Sequence, residues 1–147
     1  MTWTAATARM IRASLAVVGL AGLAVAIYLT VERALGRAPS CIVGGGCSVV
    51  QASRYSELAG IPVAWLGIAA YLGIIVAAAL PGIRGALLGL FITTLSVGLS
   101  GWLTYVELGI INEVCAWCVA SAILTVLAFG LSLARLASIT RLEMTGT

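Results

Sequence analysis

Residues 61–80 read IPVAWLGIAAYLGIIVAAAL and residues 85–106 read GALLGLFITTLSVGLSGWLTYV, two apolar runs joined by Pro81-Gly82-Ile83-Arg84. Each is about the 20 residues a helix needs to cross the hydrocarbon layer. Neither holds a charged residue. Since one charge at mid-span costs about 2.5–3.5 kcal/mol on insertion, two clean runs back to back mark a transmembrane hairpin. Pro81-Gly82 supplies its turn, and Gly60-Ile61-Pro62 puts a proline where a helix can begin. Working outward, residues 13–31 and 114–134 are uncharged runs of the same kind. The sequence predicts an all-α membrane protein, a four-transmembrane-helix bundle with helices over 13–31, 61–80, 85–106 and 114–134, forming a single integral-membrane domain over 1–147.

Composition narrows the chemistry. Hydrophobic residues make up 62% of the chain and charged ones 9%, far from the balance of a soluble domain. With eight Arg, five Glu and no Lys, Asp or His, the chain cannot build a Ser-His-Asp triad, a His-ligated metal centre or a lysine Schiff base. The net charge of +3 is spread thinly, which argues against nucleic-acid binding. Arg9, Arg12, Arg84, Arg135 and Arg141 fall on one side of the predicted spans and Arg33, Arg37 and Arg54 on the other. The side with five Arg is expected to be cytoplasmic, with both termini, in a bacterial cytoplasmic membrane. Trp65, Trp102, Tyr105 and Trp117 lie near the outer span ends, where an aromatic belt explains most of them. Ala38-Pro39-Ser40-Cys41 loosely resembles a lipoprotein cleavage site, but the first run is long for a signal segment, and the first helix is expected to stay in the mature protein.

All four cysteines fall on the predicted outer side, an oxidising compartment. Cys115-Ala116-Trp117-Cys118 is a C-x-x-C opening the last helix; residues three apart on a helix have Cα atoms about 5 Å apart, within disulfide reach. Asn112 is a plausible N-cap, placing Cys115 in the first turn, where free N–H groups favour a thiolate, although Glu113 opposes this. Cys41 and Cys47 bracket Ile42-Val43-Gly44-Gly45-Gly46, a permissive segment that reads as a tether. Ser48-Val49-Val50-Gln51 fits a capping box opening a short amphipathic helix in the outer loop. Structural disulfides stapling the loops need only an even cysteine count on the outer side, whereas a four-cysteine zinc site would need both pairs to converge beside lipid, and C-x5-C is not a usual zinc spacing. A flexible pair facing a C-x-x-C beside the hydrocarbon layer favours redox work.

These residues resemble the vitamin K epoxide reductase family, specifically its small bacterial members that reoxidise disulfide-forming proteins. The resemblance covers nearly the whole chain. It rests on Cys41 to Cys47 followed by Ser53 and Gly60-Ile61-Pro62, with Cys115-Ala116-Trp117-Cys118 at the start of the last helix. DsbB proteins also have four spans and two cysteine pairs, but carry their C-x-x-C in the first outer loop. The resemblance implies that Cys41 exchanges with a separate thioredoxin-fold, DsbA-like partner, that Cys47 passes electrons to Cys115, and that Cys118 faces a membrane quinone, menaquinone or ubiquinone. Ser53 matches the family's serine and is a candidate for supporting quinone or loop geometry; Trp65, Tyr71 and Trp117 are candidate ring contacts. Val63 and Ala122 stand where vertebrate enzymes place an asparagine and a tyrosine around vitamin K, which argues against epoxide reduction. Two other readings are a quinone or vitamin K epoxide reductase on the same cysteines, and a small transporter or assembly subunit with structural disulfides. Transport coupling usually needs an intramembrane ionisable residue, which none of the four runs contains.

Overall fold

Helices run past the apolar stretches that announce them, because backbone hydrogen bonding continues where side-chain hydrophobicity stops. The computed structural model describes residues 2–146, with side chains from residue 5. Its helices are α1 (Thr2–Ala34), α2 (Cys47–Ala52), α3 (Val63–Ala79), α4 (Gly82–Tyr105) and α5 (Ala116–Thr145). The expected 13–31 and 114–134 segments are thus lengthened to 33 and 30 residues, and α5 carries Arg135 and Arg141 within it. The expected 85–106 segment starts at Gly82 and continues through Val106–Ile111 as a wide π-helical turn. The 61–80 segment is trimmed at its start, where Ile61–Pro62 (β2) pairs antiparallel with Glu57–Leu58 (β1). Ala59 and Gly60 make that turn with φ of 53° and 83°, both left-handed, as a two-residue hairpin turn whose twist matches its strands requires.

α1 packs on α3 and α5, and α4 packs on the same two helices, so the four long helices enclose a common interior. Its core is Leu15, Ala26, Tyr71, Ile74, Ala78 and Ala128. Gly22 is obligatory here, since a Cβ on it would overlap the Tyr71 ring, whereas Gly98 and Gly101 face open space. Leu20, Ile27, Leu72, Phe91, Leu95, Ile123 and Val126 point outward, an apolar exterior suited to lipid. Among the described residues, three helices are long and apolar enough to cross a membrane; α3 has 17 residues.

The shortness of α3 has a partner in its C-terminal end. Its last carbonyls, which no helical N–H can reach, are taken by two arginines from neighbouring helices. Arg12 of α1 donates to Ala78 O and Ala79 O, both at 2.8 Å. Arg135 of α5 donates to Ala77 O at 2.7 Å and to Leu80 O. Arg135 lies at the same end of the bundle as Arg12 and is buried there: carbonyl dipoles stand in for water around its guanidinium. Gly85 lets α4 start against this junction, because any Cβ there would meet Ala77 O, Leu80 O and the Arg135 guanidinium.

Candidate functional site

Two local choices of backbone bring the cysteines together. At the start of α5, Cys115 rather than Asn112 is the N-cap: its extended backbone frees the Sγ to accept the Cys118 N–H at 3.4 Å. Asn112 is instead a left-handed residue closing the π-helical turn. At α2, the expected capping box does not form. Gly46 caps the helix without a side chain and Cys47 is its first residue, so Ser48 lies two positions past the cap. The three glycines also do different jobs. Gly44 is left-handed at φ 73° and Gly45 faces open space, whereas a Cβ on Gly46 would come within 2.5 Å of Val114 O. Gly46 is therefore a seat that lets the loop backbone rest directly on the segment leading into Cys115.

The result is one cluster from two distant stretches of sequence. Cys47 and Cys115 are 1% and 0% exposed and pack together with Val50, with Cys41, Ile111, Trp117 and Cys118 around them. Cys41 and Cys47 are joined in a disulfide, with Cα atoms 5.8 Å apart, while Cys115 and Cys118 are free thiols. Cys41 is partly exposed. Trp117 does not face the interior: its Nε1–H donates to Ser40 O at 2.7 Å, and its ring packs on Tyr28, whose hydroxyl accepts the Ser40 N–H at 3.0 Å. Both backbone polar groups of Ser40, the residue before Cys41, are pinned in this way.

Cys118 opens onto a cavity of about 130 Å³ between the helices, walled by Ala26, Val63, Ala122, Leu103, Tyr71 and Ser53 among others. That volume is close to the ~150 Å³ of an engineered apolar cavity that takes up benzene, so it suits a planar ring. Of the ring candidates, Ser53 and Tyr71 line it; Trp117 does not, and Trp65, 57% exposed, points away from the bundle. Val63 and Ala122 both stand on its wall. Tyr71 is fixed by its hydroxyl, 2.7 Å from Ser121 Oγ and 3.2 Å from Thr125 Oγ1. The Ser53 hydroxyl donates to Val50 O at 2.7 Å, closing α2.

Two polar residues here escape a reading of the sequence. Gln51 donates from Nε2 to Cys118 Sγ at 3.5 Å. Glu107, 4% exposed, lines the cavity and accepts the Cys115 N–H on Oε2 at 3.4 Å. By sequence Glu107 is one residue beyond an apolar run; the π-helical turn carries it inward, a common use of such turns at functional sites.

Cys115 stands one residue before α5. Its thiol is lowered to about 7 from an ordinary value near 9, chiefly because the Cys118 thiol donates a hydrogen bond to its sulfur, against burial and the Glu107 charge. Lowering favours the thiolate, so the reduced protein should develop Cys115 thiolate as pH rises through about 7. Thiolate ultraviolet absorbance, compared between the parent and Cys115→Ser, measures this; a rise only near pH 9 would contradict it.

Residues 13–133, most of the chain, match the sequence pattern of the Vitamin K epoxide reductase family. The chain belongs to the vitamin K epoxide reductase family. Vitamin K epoxide reductase family proteins are membrane oxidoreductases, which agrees with the apolar exterior, the long helices and the disulfide beside a pair of thiols. The family in general works with thioredoxin-like partners and uses quinone or vitamin K as electron carrier.

Proposed function

We propose that the chain crosses a bacterial cytoplasmic membrane four times, with both termini inside and the cysteines outside. There it oxidises a thioredoxin-fold partner and delivers the electrons to a membrane quinone, supporting disulfide formation. The observation that carries this reading is the joint burial of Cys47 and Cys115, one from each pair, beside a cavity onto which Cys118 opens. Cys41 is the accessible sulfur, so a partner thiolate attacks there and releases Cys47. The Cys47 thiolate attacks Cys115 of the inner disulfide, giving a Cys47–Cys115 bond and a Cys118 thiolate. The partner's second thiolate attacks its own sulfur in the mixed disulfide, so that the partner leaves oxidised and the Cys41 thiolate is freed; Cys41 then attacks Cys47, restoring the outer disulfide and leaving the inner pair reduced. The residues around the cavity fit a planar quinone: aliphatic walls such as Ala26, Val63, Leu103 and Ala122, room for a ring, and Ser, Thr and Tyr hydroxyls that supply donors for its oxygens. When bound, the quinone supplies a two-electron acceptor. Tyr71 and the helix walls orient it and exclude water, and Cys118 is the sulfur presented to it.

The test is quinone reduction by the purified protein with a reduced thioredoxin-fold donor, followed by quinone absorbance. Turnover should be present in the parent and fall by at least about 10³-fold in Cys118→Ser, since no other thiol faces the cavity. Turnover retained in Cys118→Ser would refute the assignment. No turnover with several quinones and donors, with both cysteine pairs oxidised throughout, would favour structural disulfides.

A further inference from the structure

Moving an electron pair from two thiols to a quinone also moves two protons, and this chain has no His, Lys or Asp to carry them. The cavity wall holds one carboxyl, that of Glu107, and no arginine. Cys118 and Glu107 line the same cavity, and Glu107 is held at the start of α5 by the Cys115 N–H on its Oε2, while the Cys115 sulfur accepts the Cys118 N–H. No cation pairs with Glu107: the ion pairs among the described residues are Arg33–Glu57 and Arg37–Glu32, both in the outer loop region. The titratable groups around it are Cys115 and Cys118 at the start of α5, Tyr71 on α3, Tyr55 after α2, and the exposed Glu113, whose N–H donates to the Glu107 backbone oxygen at 3.1 Å; α1 contributes none. An unpaired carboxyl at 4% exposure is costly to keep in apolar surroundings, and residues of this kind within membrane bundles mark proton paths.

We propose that Glu107 is the proton carrier of this cavity, taking the Cys118 thiol proton and delivering it to a quinone oxygen. This rests on the quinone reading above. In one turnover the Cys115 and Cys118 S–H bonds break, a Cys115–Cys118 disulfide forms, and two electrons reduce the quinone to hydroquinone. The carboxylate accepts the Cys118 proton as that sulfur ionises and gives it to one ring oxygen. It then repeats this for the Cys115 proton, beside which Oε2 already sits through the Cys115 N–H bond. Glu107 ends the turnover unprotonated, as it began, so atoms and charge balance.

Glu107→Gln keeps the shape and an oxygen for the Cys115 N–H but cannot carry a proton. Quinone turnover should drop about 100-fold in Glu107→Gln, the low end of what a positioned general base contributes, and recover in part in Glu107→Asp. A second readout needs no quinone: the pH dependence of Cys118 alkylation in the reduced full-length protein, by mass mapping, should lose its low-pH limb in Glu107→Gln. Parental turnover together with a parental alkylation profile in Glu107→Gln overturns the proposal, as does a loss of turnover with an unchanged profile, which marks a positioning role. If the parent reduces no quinone, the proposed function fails, and the alkylation comparison still decides whether Glu107 takes the Cys118 proton. If Glu107→Gln does not fold, infrared difference spectra of the parent decide: ionising Cys118 should raise a protonated-carboxyl band, and its absence overturns the proposal.

Discussion

A protein carrying Cys41→Ser should accumulate a disulfide between Cys47 and Cys115 in most of its population, where the parent holds only traces of it. Cys41 is the thiol that releases Cys47 from its mixed disulfide with Cys115, and serine cannot attack in its place. The geometry makes the trap efficient. Cys47 opens α2 in the same buried cluster as Cys115, and Gly46 seats the loop on Val114, which keeps the two cysteines side by side. Nearby solvent thiols cannot rescue the bond, because both cysteines are shielded. Non-reducing peptide mapping reads the outcome directly. A Cys41→Ser protein that shows free Cys47 and an intact Cys115–Cys118 bond under turnover would break the proposed order of hops.

The largest effect on stability is expected from Arg135→Ala. Arg135 supplies hydrogen bonds to two carbonyls at the end of α3, and Arg12 beside it is already committed to Ala78 O and Ala79 O. A buried acceptor left unsatisfied costs about 1–3 kcal/mol, so the variant should lose roughly 2–6 kcal/mol, a large share of the stability of a small domain. Arg135→Lys should recover only part, since a point charge cannot fork across Ala77 O and Leu80 O. Denaturant unfolding in detergent, followed by helix content, gives the number. A loss below about 1 kcal/mol would show that water or Arg12 takes over those carbonyls.

What the sequence disclosed and what it hid divide along physical lines. Uncharged runs locate helices because burying charge in lipid is costly, and all four long helices stand where such runs stand. The same signal stops short of the helix ends, because Arg135 interrupts the apolar run while its guanidinium is solvated by carbonyls of another helix 55 and 58 residues away. Glu107 was hidden because the π-helical turn changes which way residue 107 points, and a π turn has no clear signature in residue types. The C-x-x-C and the loop cysteines were legible from spacing alone. That Cys115 caps its own helix was not, since capping by sulfur leaves no pattern of the usual oxygen-bearing residues. Trp117 looked like a belt or ring residue, and nothing local to it foretells a bond to Ser40, 77 positions away.

The pinned loop also bears on what limits flux. Ser40 is held by Tyr28 and Trp117, and Gly46 rests on Val114, so both ends of the glycine segment are fixed relative to Cys115. A donor and acceptor parked side by side react at the effective molarity of an intramolecular pair, which reaches about 10⁵ M and more in well-oriented cases. In the proposed relay the internal hop then ceases to be the bottleneck. Throughput is handed to the collision with the soluble donor outside the membrane, and the cell sets the pace of the enzyme through how much reduced donor it presents.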